Sequence, residues 1–136
     1  MRQHVHRPFP LLIAFWAIVV AATIAMIPNV AMPQPLQQPE AAMKSMLAAI
    51  QANSLADFNA LGDQSVQSAM TQQILDKMSE LLGPRLKQGY SVVGMGSLKK
   101  EGAVVFIWKL EFKDEGDDVL VTMAVKDGKV AGFYLR

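Results

Sequence analysis

The chain of 136 residues contains no cysteine, and its two histidines, His4 and His6, lie within the first ten residues. The lack of cysteine excludes disulfides, thiolate zinc sites and cysteine nucleophiles, although it does not fix the cellular compartment. From residue 40 onward histidine is also absent, so the side chain most often used for general acid/base catalysis is missing. Enzymatic activity in this part of the chain is therefore disfavoured.

Concentrated positive charge is lacking as well. Residues 40–136 hold eleven lysines or arginines against twelve aspartates or glutamates, which gives a formal charge of −1. Nucleic-acid backbones are bound by basic surfaces that this balance does not supply. No nucleic-acid partner is expected.

One long apolar run is present, beginning at Leu11 and ending at Ile27, and it contains no charged residue. Arg2 and Arg7 precede it, whereas residues 8–43 contain no lysine or arginine. Positive charge on this one flank favours a cytoplasmic N-terminus, with the rest of the chain outside. Seventeen apolar residues fit either a short membrane-spanning helix or the hydrophobic region of a cleaved signal peptide, and the sequence leaves both open.

The chain is predicted to have three parts. Residues 1–27 form the signal peptide or transmembrane anchor, and through the apolar run the chain meets a membrane. Residues 28–39 contain four prolines among glutamines, so they are expected to form an extended linker. Residues 40–136 are expected to form one α+β domain, since about a hundred residues suffice for a single hydrophobic core.

The domain begins with apolar residues at helical spacing, which predicts three amphipathic helices. The first runs from Glu40 to about Asn53, the second from Ser54 to Gly62, and the third from Asp63 or Ser65 to Leu82. Gly83 and Pro84 are interpreted as the stop signal of the third helix.

After Gly89 the apolar period becomes two, which predicts four strands over residues 90–98, 103–113, 119–125 and 129–135. Asp127-Gly128 is a strong signal for a type I′ hairpin turn. In the second strand one side carries large apolar residues, namely Val104, Phe106, Trp108, Leu110 and Phe112. Because only one face of the sheet is apolar throughout, we expect an antiparallel meander with the three helices packed on that face.

This pattern resembles the cystatin-like, nuclear-transport-factor-2-like superfamily. The resemblance covers residues 40–136 and rests on three features: Leu82-Gly83-Pro84 ahead of a strand, the alternation centred on Trp108, and the closing hairpin that begins at Lys126 and ends at Leu135. More narrowly, the chain is similar to a small uncharacterised family of secreted or membrane-tethered bacterial proteins. The resemblance implies a location in the bacterial cell envelope, either anchored in the inner membrane with the domain outside the cytoplasm or secreted or periplasmic after cleavage.

Relatives in that superfamily include isomerases and dehydratases with a cone-shaped pocket between sheet and helices, together with members that only bind or dimerise. Two departures separate this chain from the enzymes. Residues 62–65 leave no room for the extra hairpin that many of them carry, and the alternation places no Asp, Glu or His inside the sheet. No catalytic residue, metal site or cofactor is therefore predicted; Asp57 is interpreted as a helix-start residue, and the Gly94-Met95-Gly96 segment as a bulge.

Three functional hypotheses follow. The favoured one is a non-catalytic module that binds a protein partner, or a second copy of itself as a homodimer, through the exposed sheet face around Val105 and Ile107. The alternative is a module that binds a small apolar ligand in a cone-shaped pocket, with Trp108, Tyr90 and Tyr134 as the aromatic residues to inspect first. A lyase-like or isomerase-like enzyme is the third. The identity of any ligand or partner is not encoded in a motif.

Overall fold

A computed structural model describes residues 38–136. The predicted anchor or signal peptide and nearly all of the predicted linker lie outside these residues. No helix within residues 38–136 is both long and apolar enough to span a bilayer.

Four helices precede the sheet: α1 (Pro39–Ala52), α2 (Leu55–Leu61), α3 (Gln64–Ala69) and α4 (Gln72–Gln88). The ends of the first two helices confirm the predicted signals. Asn53 caps α1 in the left-handed conformation, and the Ser54 hydroxyl accepts a hydrogen bond from the amide of Asp57 at the start of α2. Pro39, predicted as the last linker residue, is instead the first residue of α1, a position where its missing N–H costs nothing.

The predicted third helix is in fact two helices, α3 and α4. Asp63 caps α3 by accepting from the amides of Ser65 and Val66, and α3 ends at Ala69, after which the backbone of Met70 is extended. Thr71 then starts α4, and its hydroxyl accepts from the amide of Ile74. The break allows α3 to pack on the last strand while α4 packs along α1.

The predicted stop at Gly83 and Pro84 is wrong, because α4 continues to Gln88. Gly83 is buried, and a methyl group there would lie 3.9 Å from the carbonyl oxygen of Gln51 in α1. Gly83 thus lies at the contact between α4 and α1, where an added methyl group would make only an ordinary van der Waals contact. Burial of Leu86 in the core helps to offset the backbone hydrogen bond that Pro84 removes.

The sheet confirms the predicted four-stranded antiparallel meander, and its strands lie side by side in chain order. The strands are β1 (Tyr90–Lys100), β2 (Ala103–Phe112), β3 (Val119–Lys126) and β4 (Lys129–Leu135). The register of β1 shifts between Gly94 and Gly96, which confirms the predicted bulge. Asp127 and Gly128 both have positive φ, 51° and 74°, as the predicted hairpin turn requires.

The helices pack on one side of the sheet, here called the covered face. Its fully or nearly fully buried side chains are Trp108, Leu110, Phe112, Val121, Met123 and Val130. From the helices, Met43, Met46, Leu47, Ile50, Phe58 and Leu75 complete the core. An edge-to-face contact between Phe58 and Phe133, with ring centroids 5.8 Å apart, joins α2 to β4.

The opposite side of the sheet, here called the open face, is not covered by any element of residues 38–136. The strand register places on it Val93, Leu98, Val105, Ile107, Leu120, Thr122, Ala124 and Tyr134. The α+β arrangement expected from the sequence is confirmed, with helices on one face only.

Candidate functional site

The open face concentrates exposed apolar side chains. Val93 is 37% exposed, Leu98 47%, Leu120 38% and Tyr134 61%. A soluble surface carries isolated apolar side chains as a matter of course, whereas a contiguous group of them marks an interaction site. The open face is therefore the candidate site.

Val105 and Ile107 lie at the centre of this group. Val105 is paired with Ala124, and Ile107 is paired with Thr122, so all four side chains share the open face. Both predicted interface residues are half-buried because neighbouring strands cover their flanks while their tips face outward. The structure thus brings the two together, with Leu98 opposite Val105 on β1.

A hollow of about 650 Å³ crosses the open face. Leu98, Val105, Ile107, Ala124 and Tyr134 form part of its apolar lining. A volume of this size is in the range of small-molecule sites, although the hollow has no covering element within the described residues. The open face therefore offers a recessed apolar centre.

The turn between α2 and α3 forms one wall of the hollow. The amide of Asp63 donates to the carbonyl of Val130 at 2.8 Å, and the Ser65 hydroxyl donates to the carboxylate of Asp63. Hydrogen bonds from the Ser65 hydroxyl and from the Val66 amide hold the pKa of Asp63 below its usual value. This wall is thus fixed to the first residues of β4, and it carries an ionised carboxylate.

Lysines stand at one end of the open face. Lys100 pairs across the β1–β2 turn with Ala103, and Lys126 faces Lys129 across the β3–β4 turn. We call Lys100, Lys126 and Lys129 the lysine end. All three side chains are exposed, and Lys100 and Lys126 also line the hollow.

Carboxylates stand at the other end, here called the carboxylate end and defined by Glu111 and Asp118. The amine of Lys109 lies 2.6 Å from a carboxylate oxygen of Glu111 and 3.6 Å from one of Asp118. The hydrogen bond and charge of Glu111, followed by the charge of Asp118, raise the pKa of Lys109 above its usual value. A cation is thus already bound by this pair of carboxylates, within the chain itself.

The loop after β2 is also attached to the helices at this end. Arg85 of α4 donates through Nε to Asp114 at 2.7 Å and through a terminal nitrogen to the carbonyl of Asp117 at 2.7 Å. Its guanidinium also lies 4.0 Å from the ring centre of Phe112. Bonding to Arg85 lowers the pKa of Asp114. These contacts are structural, because they hold an acidic loop in place beside the sheet.

The three aromatic residues proposed for a ligand pocket do not come together. Trp108 lies on the covered face, is 6% exposed and stacks on Phe106 with ring centroids 5.7 Å apart. Tyr90 lies at the start of β1 beside Phe112, and burial raises the pKa of its hydroxyl. Tyr134 lies on the open face, on the other side of the sheet. Side-chain alternation separates Tyr134 from the other two. Tyr90 shares the covered face with Trp108 but pairs with Phe112, four residues further along β2.

A second exposed apolar group lies on α4 and was missed by the sequence reasoning. Ile74 is 44% exposed and Leu81 is 75% exposed, and with Met78 they border a groove of about 450 Å³ beside β4. The signal was present in the spacing of residues 74, 78 and 81. Helical spacing predicts that Ile74, Met78 and Leu81 lie on the side of the helix that faces the core. In the structure Leu75 is buried there, while Ile74 and Leu81 are exposed.

Two features that often mark a catalytic centre, a buried polar side chain and a metal-ligand cluster, are not found in residues 38–136. No charged or polar residue of this part of the chain is buried, and no three His, Asp or Glu side chains lie close enough to hold a metal ion. Asp57 is exposed, and its backbone amide donates a hydrogen bond to the Ser54 hydroxyl. Its place in the fold is therefore that of a helix-start residue.

Comparison with known proteins gives similarity to solved structures alone, since no protein-family model and no curated protein matches the chain. A protein from Thiobacillus denitrificans described as a calcium/calmodulin-dependent protein kinase type II association domain is 18% identical, with a TM-score of 0.43 over 72% of this chain and 89% of that one. An NTF2-like protein of unknown function from Cytophaga hutchinsonii is 6% identical, with a TM-score of 0.37 over 71% of this chain and 87% of that one.

An uncharacterised cystatin-fold protein from Novosphingobium aromaticivorans is 9% identical, with a TM-score of 0.40 over 71% of this chain and 95% of that one. The Cytophaga protein is described as NTF2-like and the Novosphingobium protein as a cystatin-fold protein, and both names belong to the superfamily that the sequence resembles.

Proposed function

We propose that residues 38–136 form a non-catalytic protein-interaction module that docks a protein on its open face. The hydrophobic segment at residues 11–27 would place this module outside the cytoplasm, in the bacterial cell envelope, either as an anchor or as an export signal. The open face would then meet its partner in the envelope.

The observation that carries the proposal is the distribution of exposed apolar side chains. Seven large ones are exposed within the described residues, and four of them, Val93, Leu98, Leu120 and Tyr134, share the open face. A fifth, Met95, lies in the bulge of β1 at the same sheet. Random scatter over the surface would not place them together, and the free energy gained by covering them favours a docked partner.

A small apolar ligand is a second candidate, because the hollow of about 650 Å³ has an apolar centre. The predicted location of that ligand, between sheet and helices, is filled by Trp108, Leu110, Val121 and Met123. Any ligand would instead lie on the open face and leave one side in water. A protein partner buries more of the exposed apolar area than such a ligand does, and we therefore favour the protein.

The proposal is tested with a photo-crosslinking residue at position 107 of the full-length protein, in the cells that make it. We expect a discrete protein adduct from position 107 and none from position 80, an exposed α4 site on the helix side of the fold. Mass spectrometry of the adduct identifies the partner, and the peptides of the chain itself report whether residues 1–27 have been removed.

Two point variants sharpen the test when the probe is moved to position 105. Ile107→Asp places a charge in the apolar centre and should abolish the adduct. Leu81→Asp, which removes a 75% exposed apolar side chain from α4, should leave it intact. Adduct formation that survives Ile107→Asp, or the lack of any protein adduct from the open face, would contradict the proposal and favour a small ligand in the hollow.

A further inference from the structure

We propose that the exposed apolar side of α4 is a membrane contact, which lies on the surface of the same bilayer that residues 11–27 enter. The inference rests on the membrane address proposed above for that segment, and it does not depend on the partner of the open face. It adds a second binding surface, for phospholipid, and states which side of the module is turned toward the membrane.

The contact surface is a narrow ridge along one side of α4. Ile74 and Leu81 are the two large exposed apolar side chains of the described residues that lie away from the sheet. Lys77 and Pro84, which are also exposed, continue the same line, because spacings of three and four residues keep side chains on one side of a helix. We call these four residues the α4 ridge, and it is about 15 Å long.

The shape of the α4 ridge suits a lipid surface better than the open face does. Leu81 is more exposed than any other large apolar side chain in residues 38–136, so it projects from the helix. A bilayer surface accepts projecting apolar side chains. The apolar centre of the open face is instead recessed in the hollow, with exposed lysines beside it, and contact with hydrocarbon there would desolvate charged groups.

The charges on and beside the α4 ridge are few and balanced. Lys77 is the one charged residue among the described residues that line the groove beside β4, and no ion pair within residues 38–136 includes it. Its aliphatic stem can lie along Ile74 and Leu81 while its ammonium group reaches a lipid phosphate. Glu80 and Lys87, exposed on the polar side of α4, cancel each other. Apolar insertion therefore carries the contact.

The short connection to the hydrophobic segment keeps the domain close to the bilayer. Residues 28–37 alone separate the apolar run from Gln38, which leads directly into α1, and α1 packs along α4. Ten extended residues span at most about 35 Å, and a compact domain of this size is roughly 30 Å across. The domain is thus held within about one diameter of the membrane, where even a weak contact is occupied because its effective concentration is high.

The α4 ridge is too small to hold the domain on a membrane by itself. It offers two large aliphatic side chains, whereas even a single myristoyl chain gives only marginal, reversible binding. Docking is therefore reversible and requires the hydrophobic segment. It leaves the open face available to a protein, since α4 packs on the opposite side of the sheet.

The lack of cysteine in the chain permits a direct test, because one introduced thiol can carry a fluorescent dye. Full-length Leu81→Cys protein is labelled with an environment-sensitive dye and reconstituted in vesicles of phosphatidylethanolamine and phosphatidylglycerol. Lipids that carry a nitroxide near the headgroup quench a dye at the membrane surface. We expect quenching at position 81 to be about five-fold stronger than in Glu80→Cys, which lies more than a quarter of a turn away on α4. Glu101→Cys, in the exposed β1–β2 turn, is the distant control.

Two point variants identify the side chains that make the contact when the dye is moved to Ile74→Cys. Leu81→Asp should lower the quenching to the level of the controls, because it places a charge on the α4 ridge. Leu98→Asp removes an exposed apolar side chain from the open face and should leave the quenching unchanged. Both positions are exposed, so circular dichroism should show an intact fold in each variant. Quenching that survives Leu81→Asp, or that both variants abolish, would contradict the assignment to the α4 ridge.

The lipid and the signal together separate this contact from others. Quenching at position 81 should persist in vesicles of phosphatidylcholine alone, since apolar insertion carries the contact. Its complete loss there would overturn the apolar mechanism. A blue shift of the dye at position 81 without quenching by the nitroxide lipid would mean that a protein covers the ridge, and no response at all would mean that nothing does; either result overturns the membrane contact.

Failure of this inference is distinguishable from failure of the proposed function. A protein adduct from position 107 together with no lipid quenching at position 81 keeps the interaction module and overturns the membrane contact. Lipid quenching at position 81 without any adduct from position 107 does the reverse. A mature protein that lacks residues 1–27 and is recovered free of membrane also overturns the membrane contact, while the proposal for the open face stands.

Discussion

The covered and open faces of the sheet share four strands and one backbone, and yet their side chains differ in kind. On β2 the covered face carries Trp108, Leu110 and Phe112, all buried, while the open face carries Ile107, Lys109 and Glu111. Near the start of β2 the two faces are both apolar, because Val105 and Ile107 are apolar and lie on the open face. A strand that is polar on one side over half its length and apolar on both sides over the rest has one solvated region and one region suited to a partner.

The largest expected effect comes from truncating the covered face. Trp108→Ala should lower the free energy of unfolding by about 3–5 kcal/mol, because it removes a buried aromatic ring and leaves a cavity beside Phe106. Urea unfolding of the full-length protein, followed by far-ultraviolet circular dichroism, measures the change.

The neighbouring open-face residue is the matched control for that experiment. Ile107→Ala should lower the free energy of unfolding of the monomer by only about 1 kcal/mol, since the side chain is half-exposed before the change. Its effect should appear instead as a weaker crosslinked adduct at the open face. Equal losses of stability for the two variants would show that the open face is as tightly covered as the other, and would break the distinction between the faces.

Sequence reasoning predicted the sheet well because period two is a local and persistent signal. The bounds of β4, the bulge between Gly94 and Gly96, and the Asp127-Gly128 turn all agree with the structure. Each depends on a few adjacent residues whose conformational preference is strong. The bounds of the helices, in contrast, depend more on tertiary contacts than on adjacent residues.

The break between α3 and α4 was invisible for this reason. Met70 continues the helical spacing, and Thr71 is a modest cap without a glutamate three residues later. The break comes from packing of α3 on β4 and of α4 on α1. Pro84 led to the opposite error, because burial of Leu86 in the core supports the helix beyond the proline.

The candidate site was predicted in part. Val105 and Ile107 were found from alternation among charged neighbours, and the structure places both on the open face. The hollow was not predictable, because its wall comes from the α2–α3 turn at Asp63 and Ser65, more than thirty residues away in sequence. Tyr134 and Trp108 were grouped by residue type, whereas strand register places them on opposite faces.

Glycine positions give a smaller and sharper test of how the two sides differ. At Gly62, which closes α2, an added Cβ would lie 2.7 Å from Cγ1 and 2.9 Å from Cβ of Val66. Val66 is buried and has little room to move, so Gly62→Ala should lower the free energy of unfolding by about 1–3 kcal/mol. Thermal unfolding measures this loss.

Gly132 on β4 is the control for the glycine experiment. An added Cβ there would lie 3.1 Å from the ring of Tyr134, which is 61% exposed on the open face and can turn aside. Gly132→Ala should therefore have little effect on the free energy of unfolding. A loss as large as that of Gly62→Ala would mean that Tyr134 is held firmly, and that the open face is less yielding than its exposure indicates.

The smallest expected effect concerns the acidic wall of the hollow. The pKa of Asp63 is lowered by its bonds to Ser65 and Val66, so its contribution to stability is complete above the unfolded-state pKa, about 3.9, and is lost as pH falls through the lowered folded-state pKa. Asp63→Asn keeps an oxygen that can cap α3, but the amide side chain does not titrate. The free energy of unfolding of this variant should therefore fall less steeply below pH 4 than that of the unmodified chain, as measured in acid titrations followed by circular dichroism.

Ser65→Ala removes a donor and raises the pKa of Asp63 toward its usual value, so acid loss should begin at a higher pH than in the unmodified chain. Asp76 and Asp114, whose pKa values are also lowered, titrate in every variant and cancel in the comparison. Identical acid profiles for all three proteins would mean that this wall is not fixed by the Asp63 carboxylate. Packing of Val66 and Val130 in the core would then hold this side of the hollow in place. The two faces of the sheet would be less independent of each other than the exposure of their side chains suggests.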